Sequence, residues 1–221
     1  MKILIVDNNL YISSYPQGLM VRSYLGLQHM TTARIKKAPL LNDADLSVDR
    51  VILTGSTAYI RENKDWMNEE RRYIDAWMKK GVPILGICFG AQLLARHIFG
   101  ENAIVALPYP INGSIMLHRT QDSPLFKGLP TDFGVVATHY EGFEIPQEHT
   151  LARVDEWPCY AFRYEKNVYG VQFHPELSGP TGHFLVKLQR FMYDRTVYQD
   201  FSTPTSPRHG KQLFSNFITS T

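Results

Sequence analysis

Two hydrophobic periods alternate along the first half of this 221-residue chain. Residues 2–6, Lys-Ile-Leu-Ile-Val, are a short apolar run that stops at Asp7-Asn8-Asn9. A run of that length reads as a buried strand. Residues 16–27 switch to a helical stripe of Leu19, Met20, Ser23, Tyr24 and Leu27, with Gly26 weakening its end. Residues 31–36 read as a second strand, 40–49 as an Asp-rich connector, and 50–54 as a third strand running into Gly55-Ser56-Thr57. Residues 65–79 predict a helix capped by Asp65, with Trp66, Tyr73, Ile74, Trp77 and Met78 on its apolar face. Lys79-Lys80-Gly81 closes it with cations and a terminal glycine. Val82 to Ile87 then reads as another buried strand, followed by a turn at Cys88 and an apolar helix.

Strands alternating with helices in this way predict a parallel sheet with helices on both faces. Sites in such sheets form at the carboxyl ends of strands, where Gly55 and Cys88 both fall. After Gly100 the pattern changes to short strand-like runs at 103–107, 111–117, 134–138, 151–154 and 159–164, with one helical turn at 124–129. These runs predict a small antiparallel extension of the same domain. Residues 167–173 form a further buried strand that delivers Gln172-Phe173-His174-Pro175-Glu176 at its end. The last helix is expected over 182–193, with Phe184, Leu185, Leu188, Phe191 and Met192 toward the core. The fold expected is an α/β three-layer sandwich, mostly parallel and flavodoxin-like, over residues 1–200. Residues 201–221 are a Ser-, Thr- and Pro-rich tail, either loosely ordered or docking its apolar 213–218 segment on the body.

Composition narrows the partners more than the fold. Hydrophobic residues make up 44% and charged residues 20%, ordinary for a globular protein. A formal net charge of +2 with no basic run argues against nucleic acid or a membrane surface as partner. The N-terminal apolar run is too short for a signal peptide and reads as a first strand. Two cysteines without a CxxC pair, Cys88 and Cys159, argue against a disulfide framework or a cysteine zinc site, and a cytoplasmic protein is expected. Cys159 lies within a strand-like run and reads as inert core.

The chemistry concentrates on two short segments. Gly86 and Gly90 bracket Cys88 at i−2 and i+2, the spacing of a nucleophile elbow. Small neighbours let the following helix approach, and its N-terminus favours a negative sulfur. A buried structural cysteine in a strand–helix turn has the same local pattern. A catalytic cysteine needs a base, and the base needs an orienting group. His174 and Glu176 supply both from one strand end, where residues i and i+2 point the same way. Taken alone, that pair also reads as a solvated surface pair.

Together, Gly86-Ile87-Cys88-Phe89-Gly90-Ala91-Gln92 and Gln172-Phe173-His174-Pro175-Glu176 resemble the class I, or triad, glutamine amidotransferases. The likeness is nearest to their stand-alone GMP-synthase-like members and extends to about Tyr193. It implies Cys88 as nucleophile, His174 as general base and acid, and Glu176 as its orienting carboxylate. It further implies an oxyanion hole from the backbone N–H groups of Gly55 and Phe89, and substrate contacts from Gln92, Thr138, His139 and Tyr140. The family commonly has Gly-Gly-Pro where this chain has Thr54-Gly55-Ser56. No metal or organic cofactor is implied. The implied substrate is L-glutamine or a γ-glutamyl compound, and the implied partner is an ATP-dependent synthase that receives ammonia. A self-sufficient γ-glutamyl hydrolase or peptidase and a non-catalytic binding protein are the alternatives.

Overall fold

The computed structural model describes residues 1–9, 17–25, 30–34, 41–193 and 200–219. Its apolar runs become strands of one sheet, in the chain order β1 (Ile3–Asp7), β2 (Met30–Arg34), β3 (Arg50–Leu53), β4 (Ile84–Ile87), β5 (Ile104–Arg119), β6 (Asp132–Phe143), β7 (Thr150–Val154), β8 (Trp157–Tyr164) and β9 (Val168–Val171). The helices are α1 (Gln17–Leu25), α2 (Asp65–Lys79), α3 (Phe89–Phe99), α4 (Pro180–Tyr193) and α5 (Pro207–Thr219). Laterally the strands run β2-β1-β3-β4-β9-β8-β7-β5-β6. The first five pair in parallel, and every pairing from β9 to β6 is antiparallel.

Period-two alternation sorts the side chains of the central strands onto two cores. Ile3, Ile5, Ile52, Leu85 and Ile87 face one way, against Val21 of α1 and Leu213, Phe214 and Phe217 of α5. Leu4, Val6, Val51, Leu53 and Ile84 face the other, against Met67, Ile74 and Trp77 of α2 and Leu93 and Leu94 of α3. The architecture is therefore the expected helix–sheet–helix sandwich with an antiparallel extension. That extension is larger than the sequence suggests, because it supplies β5 to β8 of the sheet.

Several local expectations are corrected. The runs at 103–107 and 111–117 belong to one strand, β5, whose pairing with β6 shifts register between Ala106 and Ile111. Pro108 and Pro110, which lack ladder donors, lie in that interval. Asp65 does not cap α2; Lys64 occupies the cap position in extended backbone, and Asp65 is the first helical residue. An acid there still meets the positive end of the helix dipole. Leu19 on α1 and Phe184 on α4 point to solvent, at 52% and 64% exposure, while Val21 and Val186 take the buried positions. The expected ends of the first helix at Pro16 and at 26–27, of the second strand at 35–36, and residue 40 of the connector lie outside the described residues, as do the side chains of Leu188, Phe191 and Met192. In the connector, Asn42 and Asp45 form a reciprocal capping box on a 3₁₀ turn at Asp43–Leu46. No helix among the described residues is long and apolar enough to cross a membrane.

Candidate active site

β4 and β9 are parallel neighbours, so the loops leaving them open on one edge of the sheet. Cys88 leaves β4 with its N–H donating to the Val171 carbonyl at 2.8 Å, at the last residue of β9. Its backbone is at φ 50°, ψ −108°, a strained conformation for a residue with a side chain. The sequence builds this turn with glycine on either side. A Cβ on Gly86 would lie 2.6 Å from the Gly90 carbonyl carbon and oxygen, and a methyl on Gly90 would run into the Leu53 carbonyl oxygen. Close approach of α3 to β3 and β4 thus requires both glycines. α3 starts at Phe89, so the Phe89 N–H belongs to the first turn, which has no intrahelical acceptors.

His174 arrives differently from the way the sequence suggests. β9 ends at Val171, and His174 starts a 3₁₀ turn over Pro175–Leu177. The pairing of His174 with Glu176 therefore comes from this turn and not from side-chain alternation along a strand. The His174 N–H donates to the Val136 carbonyl on β6 at 2.8 Å, which locks the turn to the extension. Its Nδ1 lies 2.7 Å from Glu176 Oε1, with both side chains almost wholly buried. A carboxylate only accepts, so Nδ1 carries the proton. Burial alone would lower the His174 pKa, but the Glu176 carboxylate and Cys88, by charge and hydrogen bond, raise it to about 10. Gly55 abuts this imidazole: a Cβ there would lie 3.0 Å from His174 Cε1 and 2.7 Å from Gln17 Oε1.

The segment from Thr138 to Glu141 closes the site from β6. The Cys88 thiol approaches the Thr138 carbonyl at 3.8 Å. His139 is buried, its Nδ1 2.9 Å from the Glu141 carbonyl and its Nε2 in a short hydrogen bond with the Tyr160 hydroxyl. Burial, with the nearby His174 charge, holds its pKa down to about 3 despite the bond to the Glu141 backbone, so this ring is neutral. Tyr140 is 39% exposed and meets Tyr59 edge-on, ring centroids 5.8 Å apart. Gln92 sits one turn into α3, but its amide N–H₂ is spent on the Glu141 carbonyl at 2.6 Å and Gln172 Oε1 at 3.2 Å. That geometry makes Gln92 a brace between α3, β6 and the residue after β9.

Three residues at this edge have roles that no sequence pattern announces. Buried Glu141 accepts from the Ile60 N–H and from Arg61 Nε, each at 2.7 Å, and so pins the loop after β3 to β6. Tyr160 fixes the His139 ring, and Gln17 packs beside Gly55. No local pattern links residues 60 and 141; only the sheet order brings them together. Cys159 lies in the opposite core, where burial pushes its thiol up to about 12. Among the described residues, no three His, Cys, Asp or Glu side chains converge as a metal site.

The fold and its loaded edge define an α/β protein with a cysteine elbow at the carboxyl end of a parallel strand. The family model for glutamine amidotransferase class-I matches residues 16–191. The chain belongs to the class I glutamine amidotransferase family. It is 30% identical over 167 residues to a subunit of the glutamine-hydrolyzing GMP synthase of Thermoplasma acidophilum, covering 72% of this chain and 76% of that one. It is 32% identical over 153 residues to the glutamine-hydrolyzing GMP synthase of Thermomicrobium roseum, covering 67% of this chain but only 27% of that longer protein. In structure it matches a glutamine amido transferase from Methylobacillus flagellatus with a TM-score of 0.79 at 17% identity, covering 99% of this chain and 94% of the other.

Proposed function

We propose that this protein hydrolyses the side-chain amide of L-glutamine through Cys88, His174 and Glu176 and delivers the ammonia to a separate synthase. The observation that carries the reading is the His174–Glu176 pair, 2.7 Å apart and buried, with the elbow Cys88 near enough to act on the imidazole. An imidazolium beside a sulfur is the pair from which a cysteine nucleophile works. Cys88 Sγ attacks the glutamine Cδ, and the carbonyl π electrons move to oxygen. The Gly55 and Phe89 N–H groups hold that oxyanion; one such donor is worth roughly a hundredfold or more in rate. His174 gives its proton to the departing nitrogen, which leaves as ammonia from a γ-glutamyl thioester. Water, deprotonated by His174, then attacks the thioester and releases glutamate with the thiol restored. Glu176 keeps the imidazole oriented throughout. Family membership and the relative named as part of a GMP synthase support the transfer of ammonia to a partner.

A second reading keeps the same groups but changes the leaving amine. The exposed pair of Tyr59, on the loop after β3, and Tyr140, on β6 beside Thr138 and His139, favours a γ-glutamyl amide or peptide whose amine portion projects outward. Glutamate release by the purified protein from glutamine and from γ-glutamyl dipeptides tests both. Turnover of glutamine that rises when a synthase is added and vanishes in Cys88→Ala supports the first reading. Fast turnover of dipeptides with glutamine left untouched sinks it, and release of no glutamate from either substrate sinks both.

A further inference from the structure

The family model ends at residue 191, yet residues 200–219 run directly behind the turn that carries His174 and Glu176. Asp200 and Thr205 form single bridges to Gly113 on β5 and Gly134 on β6. The Gly179 N–H, two residues past the turn, donates to Thr205 Oγ1 at 2.9 Å, and His183 Nε2 lies 2.8 Å from the same hydroxyl. α5 then crosses the turn so closely that a methyl on Gly210 would run into the Pro175 carbonyl oxygen. Phe214 of α5 packs on Tyr24 with ring centroids 5.5 Å apart. Tyr24 is itself close enough to Glu176 for the carboxylate, after burial, to raise its pKa. At the far end, Asn216 donates to the carbonyls of Leu125 at 2.9 Å and Lys127 at 2.7 Å.

We propose that this C-terminal strap is a positioning element of the site: α5, through its contact at Gly210, backs the Pro175–Leu177 turn and keeps Glu176 against His174. The inference rests on the triad reading above. Its physical need is plain. The turn is three residues long and follows the end of β9, so the sheet ladder does not hold Glu176. Misplacement of a supporting group by about 1 Å can cost on the order of a hundredfold in rate.

The test is Gly210→Ala in the full chain, read by glutamine kinetics and by NMR titration of the His174 ring. The titration needs no substrate. We expect kcat to fall about tenfold to a hundredfold with KM little changed, and the His174 titration to move down toward the ordinary imidazole range. The ionisable groups around that ring are Cys88, Glu176 and His139, with Tyr24 beside Glu176 and His209 on the strap itself. Thr205→Val loosens the same strap by exchanging the hydroxyl that Gly179 and His183 bond for a methyl of similar size, and should shift both readouts in the same direction by less. Asn216→Ala frees the far end of α5, away from the contact at Gly210, and should lower the melting temperature while shifting the titration much less than Gly210→Ala. The inference is overturned if folded Gly210→Ala and Thr205→Val keep the wild-type titration and kcat, or if Asn216→Ala shifts the titration as far as Gly210→Ala does. Should wild type leave glutamine untouched while Gly210→Ala still moves the titration, the strap stands and the proposed substrate falls.

Discussion

The turn at His174 and the β6 segment at His139 each bury an imidazole at the same edge, at 1% and 5% exposure. Their protons behave oppositely. His174 is raised to about 10 and His139 is lowered to about 3. Desolvation pushes both rings toward neutrality, so burial does not distinguish them. The difference lies in the neighbours. His174 faces a carboxylate and a thiol; His139 faces a backbone carbonyl and a phenol. One segment is arranged to carry charge, and the other to hold a shape.

The largest effect expected from disturbing this contrast is in Glu176→Gln. Without the carboxylate the His174 pKa should drop from about 10 toward the ordinary imidazole range, measurable by NMR titration, and kcat should fall by roughly 10²–10⁴-fold. The same change alters stability. A histidine raised in the fold stabilises it fully below 6.5, and that contribution fades as pH rises from 6.5 to about 10. Melting temperatures of wild type should decline across that window, and those of Glu176→Gln should decline less.

His139→Phe should act mainly on stability. It strands the Tyr160 hydroxyl and removes a donor to the Glu141 carbonyl, at a cost of about 1–3 kcal/mol. Its linkage has the opposite sign. Because the fold lowers the His139 pKa, its contribution is complete above 6.5 and lost as pH falls toward about 3. Denaturant melts at pH 4 and pH 7 should show an acid slope in wild type that shrinks in the variant.

Glu70 extends the comparison to a carboxylate with no cation and should give the smallest effect. It is buried on α2, where Asn8 Nδ2 donates to it at 3.1 Å. Burial raises its pKa from 4.5 to about 8, against the lowering pull of that hydrogen bond. A carboxyl raised in the fold stabilises it below 4.5 and loses that contribution as pH climbs to about 8. Glu70→Gln should therefore match wild type in activity at pH 7 and melt higher at pH 9. Equal melts at both pH values would show that Glu70 meets water.

Most of the frame is legible in the sequence because its signals are local. Each central strand is a short apolar run, and the glycines about Cys88 announce a tight turn within a few residues. What escapes is what distant segments do to one another. Nothing in the sequence ties Glu141 to Ile60 and Arg61, which it holds across the sheet. The family resemblance implies Gln92 as a substrate contact, but nothing in the sequence shows that its amide nitrogen also bonds the β6 backbone. The Asp65 cap fails for a milder reason, since an acid suits the cap and the first helical residue alike. Phe184 reads as inward-facing because helical period alone does not say where the stripe is centred.

The backbone at Cys88 has one more consequence. A side chain at φ 50°, ψ −108° is held there against its own preference, at a cost of about 1–3 kcal/mol. Glycine would occupy the same turn with little of that strain. Cys88→Gly should thus be inert and yet melt higher than wild type, a pairing that Cys88→Ala, with its Cβ, should not reproduce. The elbow thus gives up some fold stability to hold a side chain at this edge.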